Sequence, residues 1–144
     1  MPDYNLPAIY LTCDNNTPEP NDEVTIQVHS VAPLFGIGLG IYISGDANIT
    51  TAMSEADCNS FGWENGWNSD PYIDGGWVFL SSVKWDADVN GTVGYVKFRY
   101  HSGQVSVYID QENSCAIKWD DEDFGSYVPF SQEVLLIARD PNEP

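Results

Sequence analysis

The sequence predicts an all-β protein: an antiparallel, jelly-roll-like β-sandwich of about nine strands with one short helical connector. Apolar and polar residues alternate with a period of two along several short segments, as they do in strands that are buried on one face. Glycine, proline, asparagine and aspartate interrupt these segments at short intervals, which is typical of a sandwich. A chain of 144 residues can bury a sizeable core, so residues 1–144 are predicted to form a single domain.

The elements are assigned in chain order from the spacing of their apolar residues. The run Met53–Asn59 is the one segment with a helical composition, and at barely two turns it is predicted to be a connector. Nine segments are predicted to be strands: Ile9–Cys13, Glu23–Val31, Ile37–Ser44, Asn48–Met53, Trp77–Trp85, Thr92–Tyr100, Val105–Asp110, Cys115–Lys118 and Gln132–Ala138.

Three of these strands indicate which face is buried. In Glu23–Val31 the valines and the isoleucine at positions 24, 26 and 28 point one way, as a half-buried antiparallel strand requires. In Val105–Asp110 the aliphatic positions face the core and Tyr108 lies outside. In Thr92–Tyr100 the even-numbered positions from 94 onward face the core. The outer face of that last strand then carries Tyr95, Lys97 and Arg99, which pair either with the protein's own carboxylates or with an acidic group on a partner.

The strand Ile37–Ser44 is unusual because its aliphatic residues share one face and glycines share the other. Gly36, Gly38 and Gly40 precede Tyr42 on that second face. Strand interiors normally avoid glycine, which costs backbone entropy and packs nothing. Something is therefore expected to approach this bare backbone: either an aromatic ring of a neighbouring strand or loop, or a docking ligand or partner.

The charge is strongly and unevenly negative. The formal net charge is -17, and eleven Asp and Glu precede Lys84, the first basic residue. The scarcity of lysine and arginine argues against nucleic acid and anionic membrane surfaces as partners. No apolar run is long enough to span a bilayer. An aromatic content of 13% excludes disorder. A calcium-loaded extracellular module, an acid-faced recognition domain and adaptation to high salt remain open.

A loop rich in tryptophan and glycine occupies Phe61 to Trp77 (FGWENGWNSDPYIDGGW) and is too rich in turn residues to be a strand. Exposed aromatic rings beside carboxylates and amides suit sugar recognition, because the rings stack on the apolar faces of pyranoses. The alternative is that the rings fold inward as a small satellite core. The candidate sugar-binding residues are Trp63, Trp67, Tyr72 and Trp77.

Two acidic loops are candidate calcium sites. Residues 86–91 (DADVNG) match the first half of a calcium loop, but Lys97 at the twelfth position excludes an EF-hand, and Asn-Gly also favours a plain hairpin turn. Residues 120–123 (DDED) form either a second cation site or a solvated loop. The predicted metal ligands are Asp86, Asp88, Asn90, Asp120, Asp121 and Asp123.

Signals for catalysis and metal-binding cysteines are poor. The only histidines are His29 and His101, and no nucleophile, zinc or phosphate-loop motif is present. Cys13, Cys58 and Cys115 lack metal-ligand spacing, so they are predicted to be either three buried thiols or one disulfide with a leftover thiol. We therefore expect a protein that is not an enzyme.

The opening of the chain resembles cohesin modules. The resemblance rests on residues 21–28 (NDEVTIQV), Val31-Ala32-Pro33, Gly36 leading into the strand to Ser44, and Val128-Pro129-Phe130 before the last strand. It implies the nine-stranded jelly roll that cohesins share with the related cellulose-type carbohydrate-binding modules of secreted bacterial multi-module proteins. It also implies that the glycine-faced strand lies on the partner-binding face. Where cohesins continue with a Tyr-Asp-Pro type turn, this chain has Ser44-Gly45-Asp46-Ala47-Asn48.

The prediction is a non-catalytic protein-binding, adhesion or scaffold module of a secreted or cell-surface protein, excised from a longer chain and stabilised by calcium. A carbohydrate-binding module that uses the tryptophan loop is the alternative. The partner is thus a protein or a glycan, with no nucleic acid and no membrane insertion. The predicted protein-contact residues are Gly36, Gly38, Gly40 and Tyr42, together with Tyr95, Lys97, Arg99 and Tyr108.

Overall fold

The structure is a computed structural model of the 144-residue chain. It contains seven strands in the part of the chain that it describes, and no helix there is long and apolar enough to cross a membrane. The described residues are 8–52, 72–74, 76–83, 89–118, 126–127 and 130–138. The strands are β1 (Ile9–Cys13), β2 (Glu23–Ala52), β3 (Tyr72–Asp74), β4 (Trp77–Val83), β5 (Val89–Lys118), β6 (Ser126–Tyr127) and β7 (Leu135–Ala138).

Two strands of 30 residues each, β2 and β5, organise the fold. They pair antiparallel in successive stretches that are separated by shifts of register. Residues 91–99 of β5 pair with residues 23–30 of β2, and residues 96–102 of β5 pair with residues 46–52 of β2. Residues 36–44 of β2 pair instead with residues 106–117 of β5. Each long strand therefore contributes to two separate ladders.

The two ladders form the layers of a sandwich. The first layer contains β1, residues 23–30 and 46–52 of β2, and residues 91–100 of β5. The second layer contains β3, β4, residues 36–44 of β2, residues 104–118 of β5, β6 and β7. All strand pairs within the described ranges are antiparallel, and Ile9 adds one isolated parallel bridge to Phe130.

The core lies between the layers and is built by the predicted alternation. Ile26 and Phe98 of the first layer and Leu39 and Val107 of the second are fully buried and belong to one hydrophobic cluster. Burying side chains of this size contributes about 1.5–3 kcal/mol each. Other buried members include Val24, Val28, Ile41, Val96, Tyr100, Val105 and Ile137.

Both long strands bend at glycines with positive φ. Gly45 of β2 has a φ of 138°, and Gly103 of β5 has a φ of 71°. A Cβ atom on Gly45 would lie 2.7 Å from the carbonyl oxygen of Gln104, so the two backbones approach closely at this bend. Pairing between β2 and β5 resumes after a register shift at this bend, which takes β2 from the second layer into the first.

The all-β antiparallel sandwich is as predicted, but the strand boundaries differ. Three predicted strands merge into β2 and three into β5, because the two strands pair again after each register shift. Tyr72–Asp74, predicted to be loop, is a short strand that pairs with β4. The predicted connector Met53–Asn59 lies outside the described residues.

Candidate protein-binding face

The glycines of β2 are covered by aromatic rings of β4. A Cβ atom on Gly38 would lie 3.2 Å from Phe79 Cζ, and one on Gly40 would lie 2.9 Å from Trp77 Nε1. The two rings stack on each other with centroids 5.8 Å apart. The sequence left open whether an aromatic ring or a docking partner approaches this bare backbone, and at Gly38 and Gly40 it is a ring. At Gly36, an added Cβ atom would have nothing within 4 Å. Missing side chains at positions 38 and 40 thus make room for the two rings.

Three aromatic residues form a row across the second layer. Tyr42 pairs in register with Tyr108 of β5 and with Trp77 of β4. The ring centroid of Tyr42 lies 5.3 Å from that of Tyr108 and 6.5 Å from that of Trp77, which is the range of favourable aromatic pairs. Tyr42 is 37% exposed and the other rings are half-buried. We call Tyr42, Trp77, Phe79 and Tyr108 the aromatic face.

A buried carboxylate holds the tryptophan of this face. Asp110 Oδ2 accepts hydrogen bonds from Trp77 Nε1 at 3.1 Å and from Asn113 Nδ2 at 2.8 Å. Asp110 is buried, and burying a carboxylate is costly unless donors satisfy it. The two bonds therefore stabilise the carboxylate and fix the indole ring over Gly40.

The register shift opposite Leu39 creates this arrangement. Gly38 pairs with Cys115 and Gly40 pairs with Asp110, so the four residues 111–114 of β5 lie opposite Leu39 alone. The Ser114 hydroxyl replaces the interrupted ladder: it donates to the Asp110 carbonyl oxygen at 2.6 Å and accepts from the Gly40 amide at 2.9 Å. The bulge presents the exposed side chains of residues 111–113 beside the aromatic face.

Two shallow depressions flank the Tyr42–Tyr108 pair. One is lined by Trp77 and by residues of the Gly45 bend, including Ser44, Ala47 and Asn48. The other is lined by Asp110, Gln111, Ser131, Gln132 and Val134. The tyrosine pair is therefore the ridge between two hollows, which suits a protruding segment of another molecule better than a deeply enclosed small ligand.

Strand β7 extends the apolar surface. Leu136 pairs with Ser106, which in turn pairs with Ser44, so Leu136 lies in the row next to that of Tyr42 and Tyr108. Val134 and Leu136 are 46% and 55% exposed. The sequence analysis did not name Val134, Leu136, Phe79 or Asp110 as site residues. For Val134 and Leu136 the sequence does hold a signal, because the outward positions of the last strand are apolar.

The predicted cluster of Tyr95, Lys97 and Arg99 lies on the other side of the molecule. Tyr95, Lys97 and Arg99 are on the outer face of the first layer, because their neighbours in β5 point into the shared core. The predicted contact surface, which joined them to the glycine strand, is therefore two separate surfaces. Lys97 Nζ lies 4.0 Å from Glu23 Oε1 and 5.5 Å from the Tyr95 ring centroid, so it pairs with the protein's own groups.

A histidine is packed on the outer face of the first layer. His29 stacks on Tyr10 with centroids 5.1 Å apart, and its nitrogens lie 2.7 Å and 3.2 Å from the hydroxyls of Thr12 and Thr92. Partial burial lowers the pKa of His29. The second histidine, His101, contacts the Asn48 amide oxygen at 2.6 Å. Within the described ranges, the hydrogen-bond partners of the two rings are threonine hydroxyls and one amide oxygen.

Several predicted site residues lie outside the described residues: Trp63, Trp67, Asp86, Asp88, Asp120, Asp121, Asp123 and Cys58. Asn90 is a residue of β5 and Tyr72 belongs to β3. Within the described ranges no three His, Cys, Asp or Glu side chains are placed to hold a metal ion. Cys13 is half-buried and Cys115 exposed, and both are free thiols; burial raises the pKa of Cys13.

No protein-family model and no curated protein matches the chain, but solved cohesin structures do. A type II cohesin domain from the cellulosome of Acetivibrio cellulolyticus matches with a TM-score of 0.64 and 15% identity, over 91% of this chain and 94% of that one. A cohesin in a type II cohesin–X-dockerin complex from the same organism gives 0.57 and 15%, over 89% and 94%. A non-cellulosomal cohesin from the archaeon Archaeoglobus fulgidus gives 0.60 and 12%, over 90% and 87%. The chain has a cohesin-like fold.

Proposed function

We propose that this chain is a non-catalytic protein-binding module whose partner docks on the aromatic face. The row Tyr108, Tyr42 and Trp77 carries the proposal, because it is partly exposed, rigidly held and central to an open sheet face. Contiguous apolar patches on soluble proteins mark interaction sites. Tyrosine and tryptophan are also over-represented among the residues that dominate binding energy.

The partner proposed for this face is a dockerin-type module. The support is the shared fold, including a cohesin solved in complex with a dockerin. Secretion or display at the cell surface belongs to the same proposal, and its support is the cellulosomal origin of one similar structure. The archaeal structure is non-cellulosomal, so the proposal is independent of a cellulosome.

Stabilisation by calcium is a separate proposal that rests on sequence. Its support is the surplus of carboxylates and the motif at residues 86–91. Binding of a glycan has less support, because Trp77 already covers Gly40 and donates its indole N–H to Asp110.

The experiment is a binding assay against immobilised type I and type II dockerins. We expect at least one dockerin to bind, and we expect Tyr42→Ala to weaken it by at least tenfold, as truncation of a central aromatic contact does. Gln27→Ala is the matched control, because Gln27 is exposed on the outer face of the first layer. Thermal melts verify that both variants are folded.

Two results would overturn the proposal. One is the failure of every dockerin to bind the wild-type chain. The other is binding that Tyr42→Ala leaves unchanged, which would move the contact to another surface. A glycan array in which the wild-type chain binds a sugar and Tyr42→Ala does not would assign the same face to a carbohydrate instead.

A further inference from the structure

A buried carboxylate, that of Asp110, lies beside the aromatic face, two residues after Tyr108 on β5. Resting on the proposed function, we infer that Asp110 is a positioning residue for partner binding. Its carboxylate orients the indole ring of Trp77 before a partner arrives, and it changes the affinity through that ring rather than through a contact of its own.

The hydrogen bond to Asp110 restrains the indole in a way that ring stacking does not. Trp77 Nε1 lies 3.1 Å from Asp110 Oδ2, and a hydrogen bond requires the N–H to point at the oxygen. The ring centroid of Trp77 also lies 5.8 Å from that of Phe79 and 6.5 Å from that of Tyr42, but aromatic pairs tolerate several offsets and tilts. The carboxylate therefore selects one orientation of the ring among those that stacking allows.

The bulge at residues 111–114 holds this carboxylate in place. Asn113 Nδ2 donates to the same oxygen, Oδ2, at 2.8 Å. Ser114 Oγ donates to the carbonyl oxygen of Asp110 and accepts from the Gly40 amide, so the backbone of Asp110 is tied to β2. Because both its side chain and its backbone are bonded, Asp110 is a rigid acceptor for the indole.

Burial keeps Asp110 from being a main contact of a partner. Asp110 is 8% exposed, whereas Tyr42 is 37% exposed, so the carboxyl group offers little surface to another molecule. The indole N–H of Trp77 already donates to Asp110. A partner therefore meets the carbon atoms of the ring, and the influence of Asp110 on affinity passes through the position of those atoms.

Loss of the acceptor is expected to weaken binding moderately. Without it, the indole adopts further orientations in the free protein, and the partner has to order the ring when it binds. Ordering one side chain at an interface lowers the affinity by about two- to tenfold. We therefore expect a loss of this size in a chain that still folds.

The test compares Asp110→Leu, which has a similar shape but no acceptor, with Asp110→Asn, which keeps an acceptor oxygen. The ligand is the dockerin that binds the wild-type chain most tightly in the binding assay. We expect Asp110→Leu to bind it about three- to tenfold more weakly and Asp110→Asn to bind it within about twofold of the wild type. Asp110→Ala replaces Asp110→Leu if thermal melts show that the leucine variant is unfolded. Val96→Ala, in the core of the first layer, is the control for a loss of stability alone, and it leaves the affinity unchanged.

A double-mutant cycle separates positioning from direct contact. Trp77→Phe keeps an aromatic ring but lacks the N–H donor. Because Asp110 acts through the indole, we expect Asp110→Leu to cause no further loss of affinity in the Trp77→Phe background.

Deuterium exchange of the indole N–H, followed by NMR, reports on the hydrogen bond in the free protein. The Trp77 signal is assigned by its absence from Trp77→Phe. We expect it to exchange slowly in the wild type and in Asp110→Asn, and at least about tenfold faster in Asp110→Leu, because hydrogen bonding and burial protect an N–H from exchange.

Four results overturn this inference: an unchanged affinity in Asp110→Leu, the same loss in Val96→Ala, the same loss from Asp110→Leu in the Trp77→Phe background, or unchanged exchange of the indole N–H in Asp110→Leu. If Tyr42→Ala still weakens dockerin binding in those cases, the proposed function stands and only the role of Asp110 is wrong. If no dockerin binds the wild-type chain, the proposed function is overturned, and the role of Asp110 in binding is overturned with it.

Discussion

Because aromatic rings pack over some of the β2 glycines, alanine substitutions at Gly40 and Gly36 are expected to differ in their effect on stability. Gly40→Ala places a Cβ atom 2.9 Å from Trp77 Nε1 and 3.2 Å from Asp110 Cβ, whereas Gly36→Ala meets nothing within 4 Å. Contacts under 3 Å force a neighbour to move. The neighbour here is the indole ring that donates a hydrogen bond to Asp110.

The expected cost follows from those contacts. Inserting a methyl group into a well-packed site costs about 1–3 kcal/mol. Displacing the indole also removes one of two donors from a buried carboxylate, which costs about 1–3 kcal/mol. Because the two effects overlap, we expect Gly40→Ala to lower the free energy of unfolding by about 2–4 kcal/mol and Tm by roughly 5–15 °C.

Gly36→Ala is the matched control. It reduces the entropy of the unfolded chain without a clash, so we expect its free energy of unfolding to stay within about 1 kcal/mol of the wild type, on the stabilising side. The assay is thermal and urea unfolding of the two variants and the wild type in one buffer. Equal losses in both variants, or a Gly40→Ala variant as stable as the wild type, would refute the packing argument.

Three further predictions concern stability. Phe98→Ala empties a fully buried core position, so urea unfolding is expected to give a loss of about 3–5 kcal/mol; a loss under 1 kcal/mol contradicts the shared core. Burial lowers the pKa of His29 below 6.5, so the unfolded chain takes up this proton before the folded chain as pH falls, and the free energy of unfolding decreases below pH 6.5. His29→Gln is therefore expected to make Tm depend less on pH between pH 5.5 and 7.5. The same slope of Tm against pH in the variant and the wild type would contradict this. Calcium raises Tm above that in chelator, with sodium chloride at equal ionic strength as the control, and equal midpoints rule calcium out.

Periodicity predicted most of the sandwich, because alternation reports burial directly. The inward positions Val24, Phe98 and Val107 are buried as predicted. Continuity of β2 and β5 was not predictable, since turn residues such as Gly45 normally end a strand. Here β2 and β5 pair again after the bend because Gly103 bends the partner strand nearby.

The site was only partly predictable for a related reason. Alternation assigns Tyr42 and Lys97 to outer faces, but it does not say which layer each face belongs to, so two opposite surfaces were predicted as one. The Trp77–Asp110 hydrogen bond joins residues 33 positions apart and depends on a register shift that no local pattern encodes. Val134 and Leu136 join the aromatic face only once β7 is paired with β5.

Because β2 and β5 each contribute to both layers, they also determine when this protein can fold during its synthesis. Glu23 pairs with Arg99 and Ala52 with Val96, so much of the pairing of β2 is with residues that the ribosome adds dozens of positions later. Contacts this distant in sequence make folding slow, and unpaired apolar strands aggregate. We expect the nascent chain to stay unfolded until β5 has left the ribosome. The abundance of carboxylates in the first 83 residues then protects the waiting segment, because like charges keep nascent chains apart.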